Sequence, residues 1–488
     1  MKKLITGIIS LLLLVSVIWA AATYWFGVKT ELQYRILLQQ APQALQEVQY
    51  LKFVNESYDR GFFASQARTV LEIEHPQAAA ERAPMRLILA HDITHGPFPI
   101  SRSPEGAWQF KPVMAIIETK IIFDPDAQKE LAKLFDQIPE ILSMRDYTVI
   151  YPDGRGEEHF VIPAFQRTYG DENKVTVDWK GLFLQVDFTG DLKGFTGSMK
   201  IPGLEVAGRD LDLKMREMKY AFSVREGARG LWLGEASFDL GEINFANKED
   251  SGPRAGLIRG VGVTVSGDES GDNVSYSLAA RTDQVKVDES LYGPGIFKME
   301  IRKIDAESLA KLQQAIREEQ KLASGQSPEE VQRLVLLKYL EILPALLEKS
   351  PELEISRVEV KTPDGDFTGT AKIAVDGTKW DSSQDLSKLA TTSTAKAELK
   401  AGERLVNRVA SIMMKSQILA EIGNREGEAP SDEEVDTVAS AAAVKQLDAL
   451  SAQNILVKED GNYSVNVSYN VGQIVLNGRP LALQDFMK

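Results

Sequence analysis

Between positions 48 and 299 apolar residues recur at every second place. Leu182, Leu184, Val186 and Phe188 form one such series, and Met218, Tyr220, Phe222 and Val224 another. A period of two puts alternate side chains on opposite faces of a strand, so the pattern predicts half-buried β-strands. Gly, Asp and Asn interrupt the series at short intervals, as an antiparallel meander requires. After Leu211, Leu213 and Met215 the apolar parity passes from odd to even. A one-residue β-bulge at Glu217 is the expected device.

Helical spacing takes over in a few stretches. Asp124-Pro125 supplies an N-cap and a first-turn proline, and Leu131, Leu134, Phe135, Ile138, Ile141 and Leu142 follow with a helical period. A second helical region spans 305–347, broken at Ser324-Gly325-Gln326 and restarted by the capping box Ser327-Pro328-Glu329-Glu330. Its later part is apolar on much of its circumference, which predicts packed core. Strands return over 353–375 around Thr362-Pro363-Asp364-Gly365. Helices follow near 401–422 and 432–453, the latter opened by Ser431-Asp432-Glu433-Glu434. The chain closes on Tyr463, Val465, Val467, Tyr469 and Val471, then on the hairpin signal Asn477-Gly478.

Residues 4–26 contain no charged side chain. At about 1.5 Å per residue they cross a hydrocarbon core of about 30 Å. A membrane anchor is predicted, with Leu4, Leu12 and Trp19 in the span and Tyr24, Trp25 and Phe26 at its far interface. Lys2 and Lys3 hold the start of the chain in the cytoplasm, which sends the remaining residues, roughly 460, to the other side. A cleavable signal using Ala20-Ala21-Ala22 is the competing reading, but the apolar run exceeds an ordinary signal core. The expected fold class is α+β: an N-terminal transmembrane helix followed by a large, mostly antiparallel β-sheet body with a few packed helices. Its expected segments are 1–3 in the cytoplasm, 4–26 in the membrane, 27–302 mainly β, 303–350 helical, and 351–488 mixed with a terminal hairpin.

Composition narrows the chemistry. A net charge of −14 over 488 residues disfavours nucleic acid as a partner. The absence of cysteine removes thiol nucleophiles and Cys-ligated metals. Nucleophile-elbow, phosphate-loop and His-Glu-x-x-His motifs are missing. Of the four histidines, His75, His91, His95 and His159, the pair His91 and His95 has helical ligand spacing but sits in the strand-like MRLILAHDITH. Residues four apart on a strand are about 13 Å from each other, too far to share a metal. His91 continues the face of Leu87 and Leu89 and is expected to be a hydrogen-bonded core or interface histidine. No cofactor and no catalytic residue is expected, and the predicted character is non-enzymatic.

Five stretches carry a resemblance: GVKTELQYRILLQQ behind the apolar run, SYDRGFFASQARTVLEI, ITHGPFP, SPELEISRVEVKTPDGDFTGTAKIAV and LNGRPLAL. Together they resemble the YdgA-like family of bacterial envelope proteins, a group of unknown function. The resemblance implies an inner-membrane anchor with a periplasmic body and supplies no activity or substrate. The positions that match its pattern are Tyr58, Arg60, Gly61, Phe63, Ser65, His95, Gly96, Pro97, Asn477 and Gly478. Their expected role is structural: unusual backbone angles at Gly61 and Gly96, a stiff turn at Pro97, and Phe63 anchored on a sheet. The functional expectation is a membrane-tethered protein that binds or organises envelope lipids or envelope proteins. Its sharper form is an acyl-chain groove on the β-body, and its rival is an envelope hydrolase with an Asp/Glu pair. A weak echo joins Gly61-Phe62-Phe63-Ala64-Ser65-Gln66-Ala67-Arg68 to Gly365-Asp366-Phe367-Thr368-Gly369-Thr370-Ala371-Lys372, which would make two related β-units.

Overall fold

The computed structural model describes residues 2–44, 51–73, 85–99, 101–102, 108–109, 112–122, 143–170, 174–248, 254–322, 328–380, 388–422 and 431–481. The helix expected over 124–142, the break at 324–326 with its cap at Ser327, and His75 lie outside them. The chain divides into two compact units, Met1–Glu226 and Gly227–Lys488.

The first unit opens with helix α1 (Lys2–Ala44). Strands follow: β1 (Leu51–Arg60), β2 (Ala64–Ile73), β3 (Met85–His95), β4 (Ser101–Arg102), β5 (Trp108–Gln109), β6 (Ala115–Ile122) and β7 (Arg145–Ile150). Next come β8 (Gly156–Ile162), β9 (Phe165–Tyr169), β10 (Val175–Trp179), β11 (Leu182–Phe188), β12 (Gly194–Ala207) and β13 (Leu211–Glu226). Among the described residues β4 and β5 pair only with each other. The others form an antiparallel meander in which β1, β2, β3, β6, β7 and β8 pair in turn, then β8 with β11, β11 with β12 and β12 with β13. β9 and β10 extend β8 and β11, and β10 pairs with the far half of β12.

The parity change at Glu217 is not a bulge against one neighbour. Ile201 pairs with Met218 and Gly203 with Arg216, so the register of β12 on β13 is the same on both sides. Instead, four adjacent strands each take one extra residue at the same level. Ile162 and Phe165 are separated by Pro163-Ala164, Trp179 and Leu182 by Lys180-Gly181, Ile201 and Leu204 by Pro202-Gly203, and Met215 and Met218 by Arg216-Glu217. Leu182 still faces Ile162, Trp179 faces Phe165, and Leu204 faces Met215. Apolar therefore meets apolar on either side of a fold line. Two prolines that lack an N–H, Gly181 at φ 97° and Glu217 at φ 54° supply the irregular backbone.

The core of this unit lies between α1 and the sheet. Tyr34 packs with Ala67, Ile93, Met114, Ala115, Ile117 and Ile150, and Phe26, Leu38 and Tyr58 close the cluster. Thr23 and Thr30 are also buried here. Each hydroxyl donates back to its own helix, Thr23 to the Trp19 carbonyl and Thr30 to the Phe26 carbonyl, both at 2.8 Å. With the hydroxyls spent internally, the helix offers the sheet small, satisfied residues.

The second unit repeats the meander: β14 (Trp232–Asn247), β15 (Ala255–Ser270), β16 (Asn273–Thr282), β17 (Gln284–Val287), β18 (Ser290–Tyr292) and β19 (Gly295–Asp305) precede helices α2 (Ala306–Leu322) and α3 (Pro328–Leu347). β20 (Glu352–Thr362), β21 (Gly365–Val375), α4 (Leu389–Thr392), β22 (Ser393–Gly402), α5 (Glu403–Ile422) and α6 (Asp432–Ala452) follow. β23 (Val457–Glu459), β24 (Asn462–Asn470), β25 (Gln473–Leu476) and β26 (Arg479–Leu481) complete the described residues. The Ser431 capping box of α6 is formed. The core expected of α3 is not: Leu336, Leu337, Tyr339 and Leu340 are exposed. The end of that helix is tied down by buried Leu347 and by the Trp380 indole donating to the Pro344 carbonyl at 2.7 Å. The echo between Gly61 and Gly365 is one of topology, since each lies where a hairpin passes into its second strand, Gly61 in the turn before β2 and Gly365 as the first residue of β21. Their turns differ, because Gly365 sits at φ 127° while the Gly61 amide closes onto the Ala64 carbonyl.

A left-handed backbone brings any Cβ too close to the following carbonyl oxygen, so Glu217→Gly should stabilise the folded chain by about 1 kcal/mol in denaturant titration. A loss of stability would mean that the Glu217 side chain, and not backbone strain, governs the fold line.

Candidate functional site at the helix–sheet junction

Eight of the ten matched positions converge where α1 meets the hairpin of β1 and β2. His95, the last residue of β3, is buried, and its Nε2 lies 2.8 Å from Ser65 Oγ on β2. Its Nδ1 lies 3.2 Å from the Phe62 carbonyl, which only a donor can approach. The ring is therefore the Nδ1–H tautomer, donating to Phe62 and accepting from Ser65. Burial pushes its pKa below the usual 6.5 and outweighs the Phe62 hydrogen bond, with Arg60 pushing the same way as burial. The ring stays neutral.

Gly27 of α1 is what lets the helix approach. A Cβ there would lie 2.6 Å from His95 Nδ1. Gly61 and Gly96 are required for space in the same way, and neither has a left-handed backbone. A Cβ on Gly61 would sit 2.4 Å from the Ala64 carbonyl, and one on Gly96 1.8 Å from that of Val113. Pro97 follows a cis peptide bond, and its carbonyl accepts from the Val113 amide. Arg60 reaches Glu31 of α1 at 3.2 Å, Arg35 holds the other carboxylate oxygen at 2.9 Å, and the Arg60 guanidinium lies over the Tyr24 ring. Phe63 is not anchored on the sheet. It is exposed and stacks on Trp19, while Phe62 meets Tyr24. Leu12, Trp25 and Tyr24 are exposed along the same helix, Phe26 is packed against the core, and Leu4 lies in its first turn.

A polar file continues from this point across the same sheet face. The Tyr34 hydroxyl of α1 hydrogen-bonds Thr69, Thr69 lies 3.1 Å from His91 Nε2, and His91 Nδ1 lies 3.0 Å from Thr119. His91 is the hydrogen-bonded interface histidine its strand position predicts, and burial lowers its pKa as well. Asp146 sits beside Thr119 in the next strand and hydrogen-bonds Glu158, which also accepts from the Thr148 hydroxyl. Burial first, then Asp146, pushes the Glu158 carboxyl up to about 9, so it is protonated at neutral pH. Tyr58 packs on Tyr34 with its buried hydroxyl facing Ser65 but out of hydrogen-bonding geometry.

Asn477 and Gly478 belong to the second unit. Their φ values of 47° and 80° make the turn between β25 and β26 of the type that suits a hairpin. The Asn477 side chain also ties neighbouring segments together, accepting from the Asn466 amide and donating to the Asn454 and Ile455 carbonyls. Sequence reading missed Gly27, Glu31, Tyr34, Thr69, Asp146 and Glu158. A usable signal existed for some of them: Thr69, His91, Thr119 and Glu158 are polar residues at the parity where their strands are mostly apolar, whereas Asp146 shares its parity with Thr148 and gives no such signal.

Two tests of this packing follow from its geometry. Gly27→Val should destabilise the helix–sheet dock by about 1–3 kcal/mol, because a branched side chain must displace His95. Thermal unfolding of the detergent-solubilised chain measures it, and an unchanged midpoint would show that the helix is not held there. The second test uses pH. From the ordinary 4.5 up to about 9 the unfolded Glu158 is ionised while the folded one keeps its proton, so its contribution to stability is lost as pH rises through that window. Glu158→Gln preserves both hydrogen bonds and should stabilise the chain at pH 8 by roughly 1–3 kcal/mol, with little effect at pH 5. The histidines act with the opposite sign. Their pKa values lie below 6.5, so their contribution is complete above that value and lost in acid, and that loss should persist in the variant. Equal gains at pH 5 and pH 8 would contradict the assignment.

Comparison with known proteins agrees with the resemblance read from the motifs. The chain is 21% identical to protein YdgA of Escherichia coli (strain K12) over 508 aligned positions, covering 98% of this chain and 95% of that one. The family model described as a bacterial protein of unknown function (DUF945) matches residues 1–484. With nearly its whole length matched, the chain belongs to the DUF945 family.

Proposed function

We propose that the protein is a non-enzymatic, uncleaved single-pass protein of the bacterial inner membrane, whose β-body stands in the periplasm and binds apolar envelope components, acyl chains foremost. Among the described residues α1 is the one helix long and apolar enough to cross a membrane. Lys2 and Lys3 favour a cytoplasmic start, which carries the sheet to the opposite side. The observation that carries the ligand is the sheet face beyond α1. Phe160, Leu184, Met199 and Tyr220 lie in one row across β8, β11, β12 and β13, and Val186 pairs through Gly197 to Phe222 beside them. None of these large side chains is fully buried, and Tyr220 is exposed. An apolar sheet face left in contact with water gains about 25 cal/mol for each Å² that a ligand covers.

The hydrolase reading has one observation on its side, the converging carboxyls of Asp146 and Glu158. Both are hydrogen-bonded within the sheet, and Glu158 is further engaged by Thr148, so their arrangement already has a structural use.

A photo-crosslinking side chain at Leu184 or Phe222 in the full-length chain should capture acyl lipid in cells, whereas one at Gln185, which faces the other way, should not. Equal capture at all three positions, or none at Leu184 and Phe222, defeats the proposal. Leu184→Glu should abolish capture at Phe222.

A further inference from the structure

We infer that the hairpin tip at Gly61-Phe62-Phe63 and the bend at Pro97-Phe98 enter the same membrane leaflet into which α1 runs, so that the sheet is held by an aromatic wedge as well as by its helix. The inference rests on the membrane reading of α1 and adds a second point of contact. Depth along the helix supplies the argument. The uncharged stretch from Leu4 to Val28 is about 37 Å long, against a hydrocarbon core of about 30 Å. Placed from Leu4, the core ends near Thr23, which leaves Trp19 about 6 Å inside it. Phe63 stacks on Trp19 with ring centroids 5.7 Å apart, so it lies within that distance of the same depth. Wedges and amphipathic helices that lie in an interface reach about 5–10 Å.

Three further observations agree. Phe62, Phe63 and Phe98 are 45%, 55% and 41% exposed, and Phe62 and Phe63 continue the exposed aromatic surface of α1 through Tyr24 and Trp19. Isolated exposed phenylalanines are ordinary, but here they are contiguous with an apolar membrane helix. The charges nearest the tip form a collar above it: Arg60 lies over Tyr24 and pairs with Glu31, and Lys29 lies over Trp25. That is the level at which lipid headgroups and interfacial aromatics meet. Backbone polar groups at the tip are also turned inward. The Gly61 amide donates to the Ala64 carbonyl, the His95 amide to Phe63, the Gly96 amide to Met114, and His95 Nδ1 to the Phe62 carbonyl. Pro97 and Pro99 have no amide hydrogen. A loop that enters hydrocarbon must hide its hydrogen-bonding groups, and this one largely does.

The chain has no cysteine, so single-cysteine variants of the full-length protein report on one site each. Phe63→Cys, Phe98→Cys, Leu12→Cys and Ser223→Cys, each carrying a nitroxide, are reconstituted in phosphatidylethanolamine–phosphatidylglycerol vesicles. Collision with oxygen is compared with collision with a water-soluble nickel chelate. The label at Leu12 should favour oxygen and that at Ser223 nickel, with Phe63 and Phe98 favouring oxygen several-fold over Ser223. Two positions on separate bends guard against one substitution disturbing the stack, and an oxygen-favoured signal at either supports the wedge. If both report water while Leu12 reports lipid, the wedge is wrong and the anchor stands. If Leu12 also reports water, the membrane reading falls and takes the wedge with it.

Discussion

The structure of the first unit depends on how closely α1 can lie against β3. Gly27 opens a space that the neutral His95 ring fills, and Ser65 and the Phe62 carbonyl fix that ring from the other side. Two turns further on, Tyr34 reaches over Ala67 to Thr69. Helix, hairpin and sheet are thereby joined by side-chain contacts. A sheet attached in this way keeps its orientation to the helix axis, whereas a sheet on a flexible tether would sample many. The matched residues Arg60, Ser65, His95 and Gly96 are the parts of that joint.

The joint is built from hydroxyls and imidazoles where leucines would pack with less risk. An apolar interface tolerates small slips and rotations because any contact is about as good as another. A buried polar file does not, since each donor left without its acceptor costs about 1–3 kcal/mol. Turning α1 by one residue would take Tyr34 away from Thr69, and shifting β3 by one residue would turn His91 to the opposite face. The file thus specifies one docking geometry. Its ionisable members also pull against each other, with His91 and His95 weakening the structure as pH falls below 6.5 and Glu158 weakening it as pH rises from 4.5 towards about 9.

Local patterns made much of this legible. Period-two runs located the long strands, Asn477-Gly478 located its hairpin, and Ser431 with Glu434 located the start of α6. What stayed hidden depends on comparison between segments. Past Phe26 the residues GVKTELQYRILLQQ mix charge with apolar side chains and read as a change of region, yet Gly27, Thr30, Tyr34 and Leu38 are spaced for one helical face. Gly27 and Thr30 do not score as hydrophobic, so the face was invisible to a hydrophobic count. Glu217 alone looked like a bulge because its partners Pro202, Gly181 and Pro163 lie far away in sequence. α3 failed for another reason: hydrophobicity predicts burial only if some surface is available to cover the helix, and the sequence does not name that surface.

The fold line of the first unit has a counterpart in the second. Leu240 and Ile243 are separated by Gly241-Glu242, Ile258 and Val261 by Arg259-Gly260, Thr282 and Val285 by Asp283-Gln284, and Tyr292 and Gly295 by Gly293-Pro294. Pairing is again continuous, with Leu240 opposite Val261 and Ile243 opposite Ile258. Gly260 at φ 61° and Gly293 at φ 96° occupy the irregular places, and a Cβ on Gly260 would strike Asp283. Strands of 16 residues such as β13, β14 and β15 accumulate twist that a straight sheet cannot carry. A bulge in one strand would bend that strand and break its register with the next. An extra residue at one level in every strand bends all of them together and leaves each pair intact. In the first unit the fold line runs between the row of Leu182 and Ile162 and the row of Trp179 and Phe165, at the border of the face proposed to hold acyl chains.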